Sequence, residues 1–185
     1  MRYRILFAIV TLLASAGAPL AATNLAIMGG ALFPVSDFAK TVDLSPYLGA
    51  RVEFQDVNAR GQTAVVSYLA WGGFSLLLPD ADVSAALKAA GQDEDGTYFD
   101  LGIGARVYTR SALFLGAGVS YVNVNEAGPS KSLHGVGFMV GLGVAFNRES
   151  FKFEIEGRGN LGLLEDNNDV EHLQLLAAIG FPFGS

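Results

Sequence analysis

The sequence predicts an all-β fold: an eight-stranded antiparallel up-and-down β-barrel that crosses a membrane, preceded by a signal peptide. Three observations carry this. The segment FKFEIEGRGNL, 151–161, alternates throughout, with Phe151, Phe153, Ile155, Gly157, Gly159 and Leu161 at odd positions and Lys152, Glu154, Glu156, Arg158 and Asn160 between them. Strand side chains point to opposite faces in turn, so one face is apolar and the other carries four charges. Strand-like segments recur along the chain, joined by connections that alternate between short and long, the rhythm of a membrane-crossing barrel. The chain also opens with an export-type leader and contains no Cys.

The leader comes first in order. Arg2 and Arg4 give a basic start, 5–13 is an apolar core, and small residues follow, ending in PLAA. This pattern predicts a signal peptide over 1–22, cleaved after Ala22, and a barrel domain over 23–185. Its loss leaves ten basic residues against eighteen acidic, a mature net charge of about −8, which argues against nucleic-acid binding. Without Cys there is no lipoprotein anchor, disulfide or thiol chemistry. The longest later apolar run, YLAWGGFSLLLP at 68–79, is too short and too Gly-interrupted for a spanning helix.

Eight strands are predicted, at 24–33, 47–55, 63–77, 97–109, 112–125, 135–147, 151–164 and 171–183. The connections 34–46, 78–96, 126–134 and 165–170 are mostly long; 56–62, 110–111 and 148–150 are shorter. In the second strand Leu48, Ala50, Val52 and Phe54 oppose Tyr47, Gly49, Arg51 and Glu53. In the fourth, Phe99, Leu101, Ile103, Ala105 and Val107 oppose Tyr98, Asp100, Gly102, Gly104 and Arg106. In the sixth, Val136, Phe138, Val140, Leu142, Val144 and Phe146 oppose Gly137, Met139, Gly141, Gly143 and Ala145.

The orientation of these faces decides between a membrane barrel and a soluble, lipocalin-like one. A soluble barrel would expose the Gly, Ala and Met face of the sixth strand, where Gly weakens a strand for no packing gain. A narrow membrane barrel needs small residues among large ones inside and an apolar face toward lipid. The third strand does not alternate cleanly. In the fifth, Val122 and Val124 fall out of phase with 113–121, which a bulge near Tyr121 would repair. The run DVSAALKAAG in the 78–96 connection predicts a short helix, with Asp82 as its cap and Gly91 as its stop.

Three segments then carry a resemblance. GGALFPVSDF…PYLGARVEF looks like an opening hairpin, GVGFMVGLGVAF like a Gly-alternating strand, and LQLLAAIGFPF like the C-terminal strand signal read by the barrel assembly machinery. In the last, Leu173, Leu175, Ala177, Ile179, Phe181 and Phe183 share a face, with Gly184 and Ser185 after the aromatic that usually ends such chains. The chain resembles the small eight-stranded outer-membrane β-barrels of Gram-negative bacteria, of the OmpA membrane-domain and OmpX type. The resemblance implies an outer-membrane location and an assembly signal at Ile179, Phe181 and Phe183. It implies partners in outer-membrane lipid, lipopolysaccharide and the assembly machinery. It names no activity.

Candidate sites follow from the inward positions. Arg51, Arg106, Lys152 and Arg158 balance Glu53, Asp100, Glu154 and Glu156. Charges in a narrow interior are costly unless paired, so these predict a salt-bridge network that closes the lumen; a gated ion path is the alternative. Ser130, Ser132 and His134 lie close together, but the spacing does not match a His-x-Ser lipid deacylase, and no set of nucleophile, base and acid converges in sequence. The acidic runs around Asp93, Glu94 and Asp95 and around Asp166 and Asp169 offer oxygen ligands without EF-hand spacing; they read as solvated loops that could meet lipopolysaccharide through divalent ions. Phe33, Phe54, Phe146, Phe151, Phe181 and Phe183 fall near strand ends, as interfacial girdles require. Trp71, mid-strand, carries no sequence signal. The expectation is a monomeric, non-enzymatic barrel with no cofactor, acting in envelope integrity or through its surface loops. A narrow channel or carrier for small or apolar solutes, and a lipid-modifying enzyme, are the alternatives.

Overall fold

The computed structural model describes residues 20–56, 64–92, 95–109, 112–128, 132–147, 150–165 and 169–183. Eight antiparallel strands form one closed barrel in sequence order: β1 (Leu20–Pro34), β2 (Ser45–Asp56), β3 (Ala64–Leu77), β4 (Gly96–Thr109), β5 (Leu113–Asn125), β6 (Ser132–Asn147), β7 (Lys152–Leu164) and β8 (Asp169–Phe183). β8 closes on β1 in an uninterrupted register from Thr23 opposite Phe183 to Pro34 opposite His172. Closure leaves no sheet edge to template aggregation. Among the described residues no helix is long and apolar enough to cross a membrane.

Each strand obeys period two around the barrel. Many outward positions are large and apolar, as at Ile27, Leu48, Val140 and Leu142, which are 60 to 67% exposed. Among the described residues none that is charged stands on the mid-wall exterior: the charged side chains of β2, β4 and β7 named above point inward and are buried. The outward face of β3 runs from Val66 to Leu76. Ten residue steps at about 3.3 Å, tilted by about 40°, span roughly 25 Å along the axis, the height of a lipid-facing band. Aromatic side chains flank that band. Tyr68, Phe146, Phe151 and Phe181 are exposed toward the short-turn end, and Phe33, Phe74, Phe99 and Tyr121 toward the other; Phe146 and Phe153 stack at 6.4 Å.

The interior has two zones. Toward the short turns it is charged. Toward the long connections it is an apolar layer that includes Leu32, Leu77, Val122, Val124, Leu133, Leu164 and Leu176. This layer, with a second buried cluster of Ala26, Met28, Leu69, Trp71, Met139 and Ala178, accounts for the two strands whose pattern misleads. β3 alternates normally, with Leu69, Trp71 and Leu77 pointing inward. β5 keeps an unbroken register with β4 and with β6, so there is no bulge at Tyr121. Val122 and Val124 point into the barrel, where they join the buried apolar layer with Tyr98 and Leu133.

The connections on the apolar side carry their own structure. A 3₁₀ turn, Ser36–Lys40, follows β1, and helix α1 (Ala81–Ala90) follows β3. The α1 cap is Asp80, whose side chain accepts from the Asp82 amide, and not Asp82 itself. Gly91 ends the helix at φ +66, a left-handed conformation that favours glycine.

Candidate functional site

The first candidate is the charged lumen. Position parity on β2, β4 and β7 aims Arg51, Glu53, Asp100, Arg106, Lys152, Glu154, Glu156 and Arg158 inward, all buried. The structure brings seven of them into one network. Glu154 is its hub: it accepts from Arg51, from Arg106 at 2.8 Å and from Lys152 at 2.6 Å. Arg106 also pairs with Glu156, which Arg158 meets at 2.9 Å. Lys152 reaches Glu53 at 3.0 Å. Asp100 sits apart from this hub, held by two neutral donors, the Tyr47 hydroxyl at 2.9 Å and the Trp71 indole N–H at 2.6 Å.

Sequence reasoning missed the neutral members. Tyr108 accepts from Lys152 at 2.7 Å and donates to Glu154 at 3.1 Å. Arg106 lies over the Phe114 ring at 4.3 Å. The Met28 sulfur faces Arg158 at 3.4 Å. Tyr47 and Tyr108 share inward parity with Arg51 and Arg106, which was the available signal. Nothing in the sequence pointed to Trp71.

The second candidate is the loop-side rim. Ser132, Asn123, His134 and Glu165 converge there. The Asn123 amide donates to the Ser132 hydroxyl at 2.9 Å and lies 3.3 Å from His134 Nδ1, while His134 Nε2 stands 3.8 Å from Glu165. Asn123 thus occupies the place between hydroxyl and imidazole that a nucleophile–base pair would need. Ser130 lies outside the described residues, as do Asp93, Glu94 and Asp166. Among the described residues no three His, Asp or Glu side chains gather to hold a metal ion.

Charge is distributed unevenly. The loop-side connections and adjoining strand ends carry twelve of the eighteen acidic residues: Asp37, Asp43, Asp80, Asp82, Asp93, Glu94, Asp95, Glu126, Glu165, Asp166, Asp169 and Glu171. They carry three basic ones, Lys40, Lys88 and Lys131. The eight lumen charges cancel, so this end, at about −9, carries all of the mature net negative charge of about −8. Lys40 and Asp37 pair at 2.6 Å; that hydrogen bond holds the carboxyl below the usual carboxylate range and raises the ammonium. Backbone bonds tie the first two connections together, Asp43 N–H to the Leu78 carbonyl at 2.7 Å and Asp80 N–H to the Thr41 carbonyl at 3.1 Å.

No protein-family model matches the chain, and no curated protein matches it. Solved structures do. Neisserial surface protein A is similar with a TM-score of 0.55 at 14% identity, over 88% of this chain and 96% of that one. The N-terminal β-barrel domain of Pseudomonas aeruginosa OprF gives 0.51 at 13%, over 86% and 97%. Ail, the attachment invasion locus protein of Yersinia pestis, in complex with the heparin analogue sucrose octasulfate, gives 0.51 at 16%, over 88% and 99%. With its closed, lipid-facing eight-strand wall, the chain has the fold of the small outer-membrane β-barrels, the OmpA membrane-domain and OmpX type.

Proposed function

We propose that this protein is a non-enzymatic outer-membrane barrel that acts at the cell surface through the acidic loop-side end. The observation that carries the reading is the partition of charge: none on the mid-wall exterior, a cancelled set in the lumen, and a strong negative excess on one rim. A wall without charge suits lipid, a cancelled lumen suits closure, and the one chemically distinctive surface left is the rim. Ail is solved with a polyanion; the acidic rim here repels polyanions and favours cationic partners or lipopolysaccharide bridged by divalent ions. The same reading takes 1–22 as a cleaved signal peptide and the barrel as a monomer. It takes Ile179, Phe181 and Phe183 as the assembly signal. Ile179 and Phe181 stand exposed beside the β1 seam, opposite Ile27 and Leu25, which supports that role.

The test is cell fractionation with heat-modifiable gel mobility, combined with an epitope inserted after Gln92 and stained on intact cells. A heat-shifted band in the outer-membrane fraction with surface staining is expected. A soluble band, or staining only after permeabilisation, overturns the reading.

A further inference from the structure

Above the apolar layer a cavity of about 150 Å³ opens at the acidic rim. Its floor is Val42, Leu77 and Val124, all part of that buried layer, and Phe38 packs against it. Val83 of α1 forms a wall, and Glu126, exposed, is the charged side chain of the lining among the described residues. The floor is apolar, and the Thr41 hydroxyl in the lining is engaged with the Phe38 carbonyl at 3.2 Å, so the part of a ligand that reaches the floor must be apolar. A cavity of this size accepts about one aromatic ring. The packed layer beneath stops a longer chain from passing deeper. At the mouth the carboxylate of Glu126 sits within a rim of net negative charge, which concentrates cations and repels anions.

We propose that this cavity binds a protonated primary amine carrying one aromatic ring or a short alkyl chain. The apolar group rests against Phe38, Val83 and Val124, and the ammonium meets Glu126. This deepens the reading of the rim as an interaction surface by naming a ligand class. Its test uses purified protein and is independent of where the protein resides in the cell.

The full barrel, in nanodiscs of zwitterionic lipid, is titrated with phenethylamine, with the neutral phenethyl alcohol and with 3-phenylpropanoate, by calorimetry and valine-methyl NMR. The amine is expected to bind about tenfold or more tightly than the alcohol, with shifts at the Val83 and Val124 methyls and no measurable binding of the anion. Glu126→Gln brings amine and alcohol to similar affinity. Val83→Trp, on a helix outside the barrel wall, fills the cavity and abolishes binding while heat-modifiable mobility is kept. Equal binding of all three probes overturns the proposal. So does binding of none, or methyl contacts to lipid acyl chains before any amine is added.

Discussion

Glu154 shows how much rests on a single side chain. Its carboxylate lies among Arg51, Arg106 and Lys152 in a buried lumen whose four cations and four carboxylates cancel. Replacing it by Ala leaves three buried cations short of a partner, a loss of about 3–5 kcal/mol. The urea midpoint for unfolding in detergent should fall accordingly, and an unchanged midpoint would mean the lumen tolerates the excess charge by hydration. Replacing Arg106 and Glu156 together by Met and Leu should cost less than the sum of the single changes, because neither is left alone.

At the scale of strands, glycines divide by face. Gly118 points inward at the Trp71 ring: an added Cβ would stand 2.6 Å from its Cη2 and 2.7 Å from the Ile103 carbonyl oxygen. Gly157 points outward, and an added Cβ there meets nothing within 4 Å. Gly118→Ala should therefore destabilise by about 1–3 kcal/mol through overpacking. Gly157→Ala should be neutral or stabilise by up to about 1 kcal/mol, since the strand loses less backbone entropy. The two variants compared by thermal shift in one detergent decide the face assignment; the reverse order would invert it. The same glycines explain what the sequence made legible. On β7 every inward residue from 152 to 160 is polar or charged, so its faces could be read directly. On β3 and β5 the inward residues include Leu69, Trp71, Val122 and Val124, and hydrophobicity could not distinguish lumen from lipid. What separates them is packing: Gly102 and Gly118 clear space for Trp71 from two neighbouring strands, a complementarity visible only once the register is known. Likewise the hub at Glu154 could be placed inside by parity, but not its choice of partners.

For the whole molecule the two interior zones predict a barrel that does not conduct. The charged zone toward the short turns is closed by ion pairs, and the outer half is closed separately by the layer around Leu32, Leu77, Leu133, Leu164 and Leu176. Ions cross neither a paired network without breaking it nor an apolar constriction that sheds water. These closures lie in series, so loosening one should not open the lumen. The unmodified barrel in a planar bilayer is expected to pass no steady ion current at either polarity, and Glu154→Ala, despite its lost stability, is expected to stay closed. Current should appear only when the outer layer is made polar as well, for instance by Leu133→Ser with Leu164→Ser in the Glu154→Ala background. Discrete channel events from the unmodified protein would contradict the two-layer closure and favour a narrow ion path through the charged residues. Events from Glu154→Ala alone would show that the apolar layer does not exclude water, leaving the ion pairs as the sole seal.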